Sequence, residues 1–205
     1  MELTVLAASG ATGLELTRQA LERGHTVTAI ARTPARITVP DSPRLIRVAA
    51  DVRDPASVAA ALAGQEIVLS GLGIASGDQP GALTAGAHAV VAAHPGRIIW
   101  LGAFGTGPSA RAAGAATRTL LSLMGDKLVD KVTADAAILA AGGTVLHAGQ
   151  LSNGPVSTTR RTVGLDRAPK RFFPARVSRA TVAAAMLDEA ENAAHPGAVA
   201  IPLER

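Results

Sequence analysis

The chain has 205 residues, 48% hydrophobic and 18% charged, with a formal net charge of +4 and no cysteine. That length suits one domain with a full core, and the composition excludes a disordered or collagen-like chain. Disulfides, thiolate metal centres and a cysteine nucleophile are excluded with the thiols, and a reducing cytoplasm is the expected location.

In chain order, the apolar run Leu3–Ala8 predicts a strand. It is too short, and follows Glu2 rather than a basic start, to read as a signal peptide. A small-residue turn, Ser9-Gly10-Ala11-Thr12-Gly13, leads into a helix over Leu14–Arg23 that Gly24 ends. Thr26–Ala31 is a second strand, closed by Arg32-Thr33-Pro34, and completes a βαβ unit. Leu45–Val48 is a third strand. Asp54 and Pro55 open a helix to about Ala63 as N-cap and first helical residue. Gln65–Ser70 is a fourth strand ending in Gly71-Leu72-Gly73, followed by a helix over Gly81–Ala93.

Arg97–Leu101 is the fifth strand, and a helical region from about Arg111 to Ala141 breaks near Gly125. Thr144–Ala148 is the sixth strand. Residues 150–175 read as irregular, a helix capped by Ser178 runs to about Asn192, and a short strand covers Ala198–Pro202. No run approaches the roughly 20 apolar residues of a membrane span. Strands alternating with helices predict an α/β doubly wound parallel sheet as a single domain over residues 1–205. Residues 150–175 form its small, irregular substrate-side cover.

The first turn carries the chemistry. Written as G-x-x-G-x-x-G, the motif falls on Ala7, Gly10 and Gly13, between a strand and a helix. Such a turn lets the backbone approach a dinucleotide diphosphate at a helix N-terminus. Ala7 departs from the pattern, and its methyl crowds the point where the strand leaves the sheet. Arg32 follows the second strand, where a carboxylate would bind a ribose 2′-hydroxyl and a cation a 2′-phosphate. With Arg36 four residues on and no acid between Thr26 and Pro40, NADP(H) is expected over NAD(H).

The stretches LAASGATG and ALERGHTVTAIARTPARI resemble the atypical short-chain dehydrogenase/reductase family, whose NAD(P)-binding Rossmann domains include NmrA-like regulators and a flavin reductase also known as biliverdin-IXβ reductase. Further matching pieces are Asp51-Val52, Gly71-Leu72-Gly73, RIIWLGAFGTG, DKVTADAAILAAGGTVLHAGQLSNGP and VSRATVAAAMLDEA, so the resemblance spans almost the whole chain. It implies diphosphate contacts at Ser9, Gly10, Thr12 and Gly13, and a 2′-phosphate contact at Arg32. It also implies an adenine wall at Asp51 and Val52, a ribose or diphosphate contact at Leu72 and Gly73, and a nicotinamide border at Gly102 and Ala103. Lys131 falls where many relatives carry a Lys or His beside the nicotinamide ribose, and it is the one candidate catalytic residue. A solvent-exposed helix lysine is the other reading of Lys131, and a turn residue the other reading of Asp51.

Familiar short-chain dehydrogenases use a Tyr-x-x-x-Lys pair, the lysine lowering the phenol's pKa. This chain has no tyrosine, Lys127 stands four residues before Lys131, and Gly102-Ala103 replaces the usual serine. Two readings remain. NADPH reduces an acceptor such as a flavin or quinone that takes its proton from solvent, or the protein binds NADP(H) without chemistry as a redox sensor or regulator. Phe104, Phe172 and Phe173 are the nearby aromatics for stacking an acceptor. The five histidines show no metal-ligand spacing and read as bland, Asp126, Asp130 and Asp135 read as a solvated helix face, and no hydrolase elbow occurs. Thr106, Ser109 and Arg111 follow the fifth strand within reach of a substrate, and Ser152-Asn153-Gly154 opens the cover near the nicotinamide end. A nucleic-acid surface would interleave aromatics with Lys and Arg. The basic residues between Arg160 and Arg179 therefore read as a solvated or phosphate-facing loop. Small molecules are the expected partners, with no nucleic acid and no membrane, and the oligomeric state is open.

Overall fold

The computed structural model describes residues 1–74, 79–169 and 175–204. In chain order its elements are β1 (Glu2–Leu6), α1 (Ala11–Glu22), β2 (Thr26–Ala31), β3 (Leu45–Ala49), α2 (Pro55–Leu62), β4 (Ile67–Ser70), α3 (Ala82–Ala92), β5 (Arg97–Ala103), α4 (Ala115–Ser122), α5 (Asp126–Ala140), β6 (Thr144–Ala148), β7 (Gln150–Ser152), β8 (Arg161–Gly164), β9 (Arg176–Ser178), α6 (Arg179–Asn192) and β10 (Val199–Leu203). The main sheet has eight strands in the order β3-β2-β1-β4-β5-β6-β10-β8, and β7 pairs with β9 in a separate ribbon. Every pairing in the main sheet is parallel except β8 on β10.

The order reverses between β1 and β4, so a crevice opens at the carboxyl ends of these two strands. Open α/β sheets bind their ligands at such a switch point. Period-two alternation divides the core into two layers. Val5, Ile99 and Leu101 pack with Leu16 and Ala20 of α1 and Val182, Ala183, Met186 and Leu187 of α6. Leu6, Ile98 and Trp100 pack on the other face with Val58 and Leu62 of α2, Leu83 and Val90 of α3 and Ile138 of α5. Small residues let these helices lie close to the sheet. A Cβ on Gly86 would stand 2.7 Å from Leu72 Cδ2 and 3.6 Å from the Trp100 ring.

Three expectations are revised. Helix α1 begins at Ala11 rather than Leu14, because extended Gly10 is its N-cap and Gly13 is already helical. Residues 150–175 are not simply irregular: β7 and β8 lie within them, with a 3-10 turn at Leu165–Arg167. The sheet is therefore not wholly parallel, since β8 returns antiparallel along β10, Val163 opposite Ile201. Short and only partly buried, Arg161–Gly164 carries no clean alternation to announce a strand. Among the described residues no helix is long and apolar enough to cross a membrane.

A candidate dinucleotide site

The β1–α1 turn is built by contacts that leave little freedom of residue type. Ala7 sits at φ +59°, and its carbonyl accepts the Gly10 N–H at 2.9 Å. A Cβ on Gly13 would stand 2.2 Å from that same oxygen and 2.7 Å from Ala8 Cα, so only glycine lets α1 rise this close to β1. Gly71, at the end of β4, closes on the other side, where a Cβ would be 3.0 Å from Gly13 N. Gly10 has no side chain to cap the helix, which leaves the first amides of α1 to an external acceptor.

Around this turn lies a cleft of about 480 Å³, a size that suits a cofactor. Ser9, Gly10 and Thr12 form its floor; Arg32 and Arg36 stand after β2; Asp51 and Val52 form one wall, and Leu72 and Gly73 line it from β4. The structure thus brings together most of the residues expected to hold a dinucleotide. Gly13 is set beneath the floor as the packing glycine just described. Asp51 is also the turn residue of the other reading, its Oδ1 accepting the Arg53 N–H at 3.0 Å.

Gly102, Ala103 and Lys131 are not part of the cleft's lining. Gly102 is buried at the end of β5, and a Cβ there would meet His147 Cδ2 at 2.6 Å and Asp135 Oδ2 at 2.9 Å. A serine in the usual position has no room, because a histidine and a carboxylate already fill the space. Lys131 is partly buried one turn before Asp135; burial pushes its ammonium below the ordinary lysine value, against the pull of the Asp135 and Asp130 carboxylates.

Two aspartates expected on a solvated face are buried instead, Asp130 at 5% exposure and Asp135 at 2%. Asp130 caps the neighbouring helix α3, taking the Thr84 N–H at 2.9 Å, the Leu83 N–H at 3.2 Å and the Thr84 hydroxyl at 2.7 Å. Asp126 alone of the three is exposed. Thr106 and Ser109 also turn inward rather than toward a substrate, at 2% and 0% exposure. Ser109 Oγ accepts the Gly105 N–H at 2.8 Å and lies 2.6 Å from His147 Nδ1, while His147 Nε2 stands 3.2 Å from Asp135 Oδ2. The sequential Ser-His-Asp contact resembles a hydrolase triad in residue types only. Its hydroxyl is sealed in the core with no access for an acyl group, so it ties the 3-10 turn after β5 (Gly107–Arg111) to β6 and α5. His147 is therefore not a bland histidine.

Sequence reasoning missed two arginines that line the cleft, Arg53 and Arg179. Arg53 directly follows the Asp51-Val52 wall and donates to the Gln79 carbonyl at 2.9 Å. Position was its only signal. Phe104 belongs to a small core cluster with Ile201 and Leu203, whereas Phe172 and Phe173 lie outside the described residues. Among the described residues no group of three or more His, Cys, Asp or Glu is arranged to hold a metal ion.

The fold recurs in solved structures at low identity. A short-chain dehydrogenase/reductase from Veillonella parvula DSM 2008, in complex with NADP, matches at TM-score 0.80 and 19% identity, over 99% of this chain and 94% of that one. An anaerobillin reductase from Escherichia coli O157:H7 matches at TM-score 0.77 and 19% identity, over 100% and 97%. A candidate NADH-flavin reductase from Streptococcus pneumoniae TIGR4 matches at TM-score 0.75 and 20% identity, over the whole of both chains. The sequence profile of the NAD(P)H-binding family matches residues 7–193, and the chain belongs to that family.

Proposed function

We propose that the protein is an NADPH-dependent oxidoreductase that reduces a small planar acceptor of the flavin or quinone type without a Tyr-Lys pair. One observation carries the cofactor choice: Arg32 and Arg36 line the same cleft as the glycine turn, with Asp51 the one carboxylate among the described residues of its walls. A cleft of that charge suits a 2′-phosphate and a diphosphate together. Bound NADPH supplies a hydride; the chain supplies position. Ser9, Gly10 and Thr12 hold the diphosphate and Arg32 the 2′-phosphate. Beyond the cleft's lining, at the end of β5, Gly102 and Ala103 border the nicotinamide with Lys131 beside its ribose, and residues 150–169 cover the acceptor.

The missing tyrosine and the inward turn of Thr106 and Ser109 leave no side-chain acid at the end of β5 for a ketone. An acceptor that draws its proton from water needs none. The same observation favours a second reading, a non-catalytic NADP(H)-binding sensor. Purified protein mixed with NADPH and a panel of flavins and quinones, followed at the reduced-nicotinamide absorbance band, separates them. Acceleration by one acceptor supports the reductase. Tight NADPH binding with no acceleration by any acceptor supports the sensor.

A further inference from the structure

Arg179 belongs to no role assigned so far, yet its side chain lines the dinucleotide cleft together with Ser9, Gly10 and Thr12. It is the first residue of α6, and that helix runs parallel to α1: Gln19 Nε2 donates to the Ala180 carbonyl at 2.9 Å, and Arg23 Nη2 to the Ala184 carbonyl at 3.3 Å, a step of four on both helices. Both N-terminal ends therefore open toward the same side of the sheet. Helical side chains lean back toward their N-terminus, which carries a long side chain at α6's first position out over the cleft.

The base of Arg179 is fixed. Ser178 caps α6 by accepting the Thr181 N–H at 3.0 Å; its hydroxyl reaches the Pro155 carbonyl at 2.9 Å, and its N–H donates to Glu204 Oε1 at 3.0 Å. The β7–β9 pairing sets Ser152 opposite Ser178 and brings Asn153 beside Arg179. The guanidinium Nη1 donates to Asn153 Oδ1 at 2.8 Å. That partner is a neutral amide, which orients the guanidinium without cancelling its charge. Among the described residues Arg179 forms no ion pair. An oriented guanidinium that lines the same cleft as the first turn of α1 and forms no ion pair among the described residues is built to meet an anion held there.

We infer that Arg179, aimed by Asn153, clamps the dinucleotide diphosphate from the side opposite the glycine turn. This inference rests on the cofactor reading above and extends it, since the strand-turn-helix motif contacts a diphosphate from one side. It also separates two cationic roles in one cleft. Arg32 reads the 2′-phosphate and so distinguishes NADP from NAD; Arg179 holds what both share.

The test is equilibrium binding of NADPH, NADH and 2′,5′-ADP to wild type, Arg179→Ala, Arg179→Lys and Asn153→Ala, with thermal unfolding to establish that each variant is folded. Arg179→Ala is expected to weaken NADPH and NADH alike, by about tenfold or more, as a lost charge-assisted contact does. The loss is expected to be smaller for 2′,5′-ADP, which keeps only the adenosine-side phosphate. Arg179→Lys is expected to recover part of the affinity, and Asn153→Ala to lose less than Arg179→Ala. Unchanged affinity of folded Arg179→Ala for both dinucleotides would overturn the clamp, as would an effect confined to the KM of an acceptor. Wild-type protein that binds neither dinucleotide would overturn the cofactor reading along with it.

Discussion

Replacing Ala7 with glycine should stabilise the protein. Ala7 holds φ +59°, a left-handed conformation that costs a residue with a Cβ roughly 1–2 kcal/mol. Glycine adopts it without that cost but gains freedom in the unfolded chain worth about 0.4–1 kcal/mol. The difference leaves Ala7→Gly more stable by about 0.5–1 kcal/mol. For a domain of this size, that raises Tm by roughly 1–4 °C. The turn itself should persist, since the Gly10 N–H bonds the Ala7 carbonyl and not its side chain. Gly13→Ala makes the opposite-sign partner. Its Cβ meets backbone atoms at 2.2 and 2.7 Å, which cannot move aside as a side chain would. A loss of at least about 1–3 kcal/mol is expected. Urea denaturation at constant m reads both variants. An Ala7→Gly protein less stable than wild type would refute the strain argument, and a neutral Gly13→Ala would refute the packing of α1 on β1.

Three further outcomes concern Asp130, Gly102 and Asp54. Burial acts to raise the Asp130 carboxyl, but hydrogen bonds from the Thr84 hydroxyl and the Thr84, Leu83 and Gly81 amides outweigh it and hold the group below the ordinary carboxylate value. Its contribution is therefore full above the unfolded pKa of about 3.9 and is lost as pH falls through the lower folded value. Asp130→Ala should cost about 1–2 kcal/mol at neutral pH, and the gap from wild type should close in acid, read by unfolding at a series of pH values. Gly102→Ser should destabilise by about 1–3 kcal/mol, since its Cβ overlaps His147 and Asp135, and should confer no alcohol or ketone activity in a reduced-nicotinamide assay. Asp54→Ala should cost about 1 kcal/mol in denaturant, because its carboxylate caps α2 at the Ala56 and Ser57 amides.

Legibility in the sequence followed the range of the interactions. The β1–α1 turn, the Asp54-Pro55 helix start and the Ser178 cap are local devices written in adjacent residues, and each stands where the sequence predicted it, apart from the earlier start of α1. Cleft residues were legible where they sit at strand ends, because strand ends in an alternating α/β chain converge on the switch point. Long-range partners were not. Asp130 caps a helix that begins 48 residues earlier at Ala82, and nothing near Asp130 in sequence announces it. Asp135 and His147 meet across α5 and β6 because Gly102 leaves them space, a three-element contact with no spacing signature. Arg179 is oriented by Asn153, brought beside it by the parallel pairing of β7 with β9, two strands too short to read by alternation.

The proposed preference for NADP(H) over NAD(H) rests on the arginines of the cleft. Its most direct test is equilibrium binding of NADPH and NADH to the wild type and to Arg32→Ala. Wild type is expected to bind NADPH about tenfold or more tightly than NADH, and Arg32→Ala to lose this preference by weakening NADPH alone. Equal affinities in the wild type, or a preference untouched by Arg32→Ala, would contradict it.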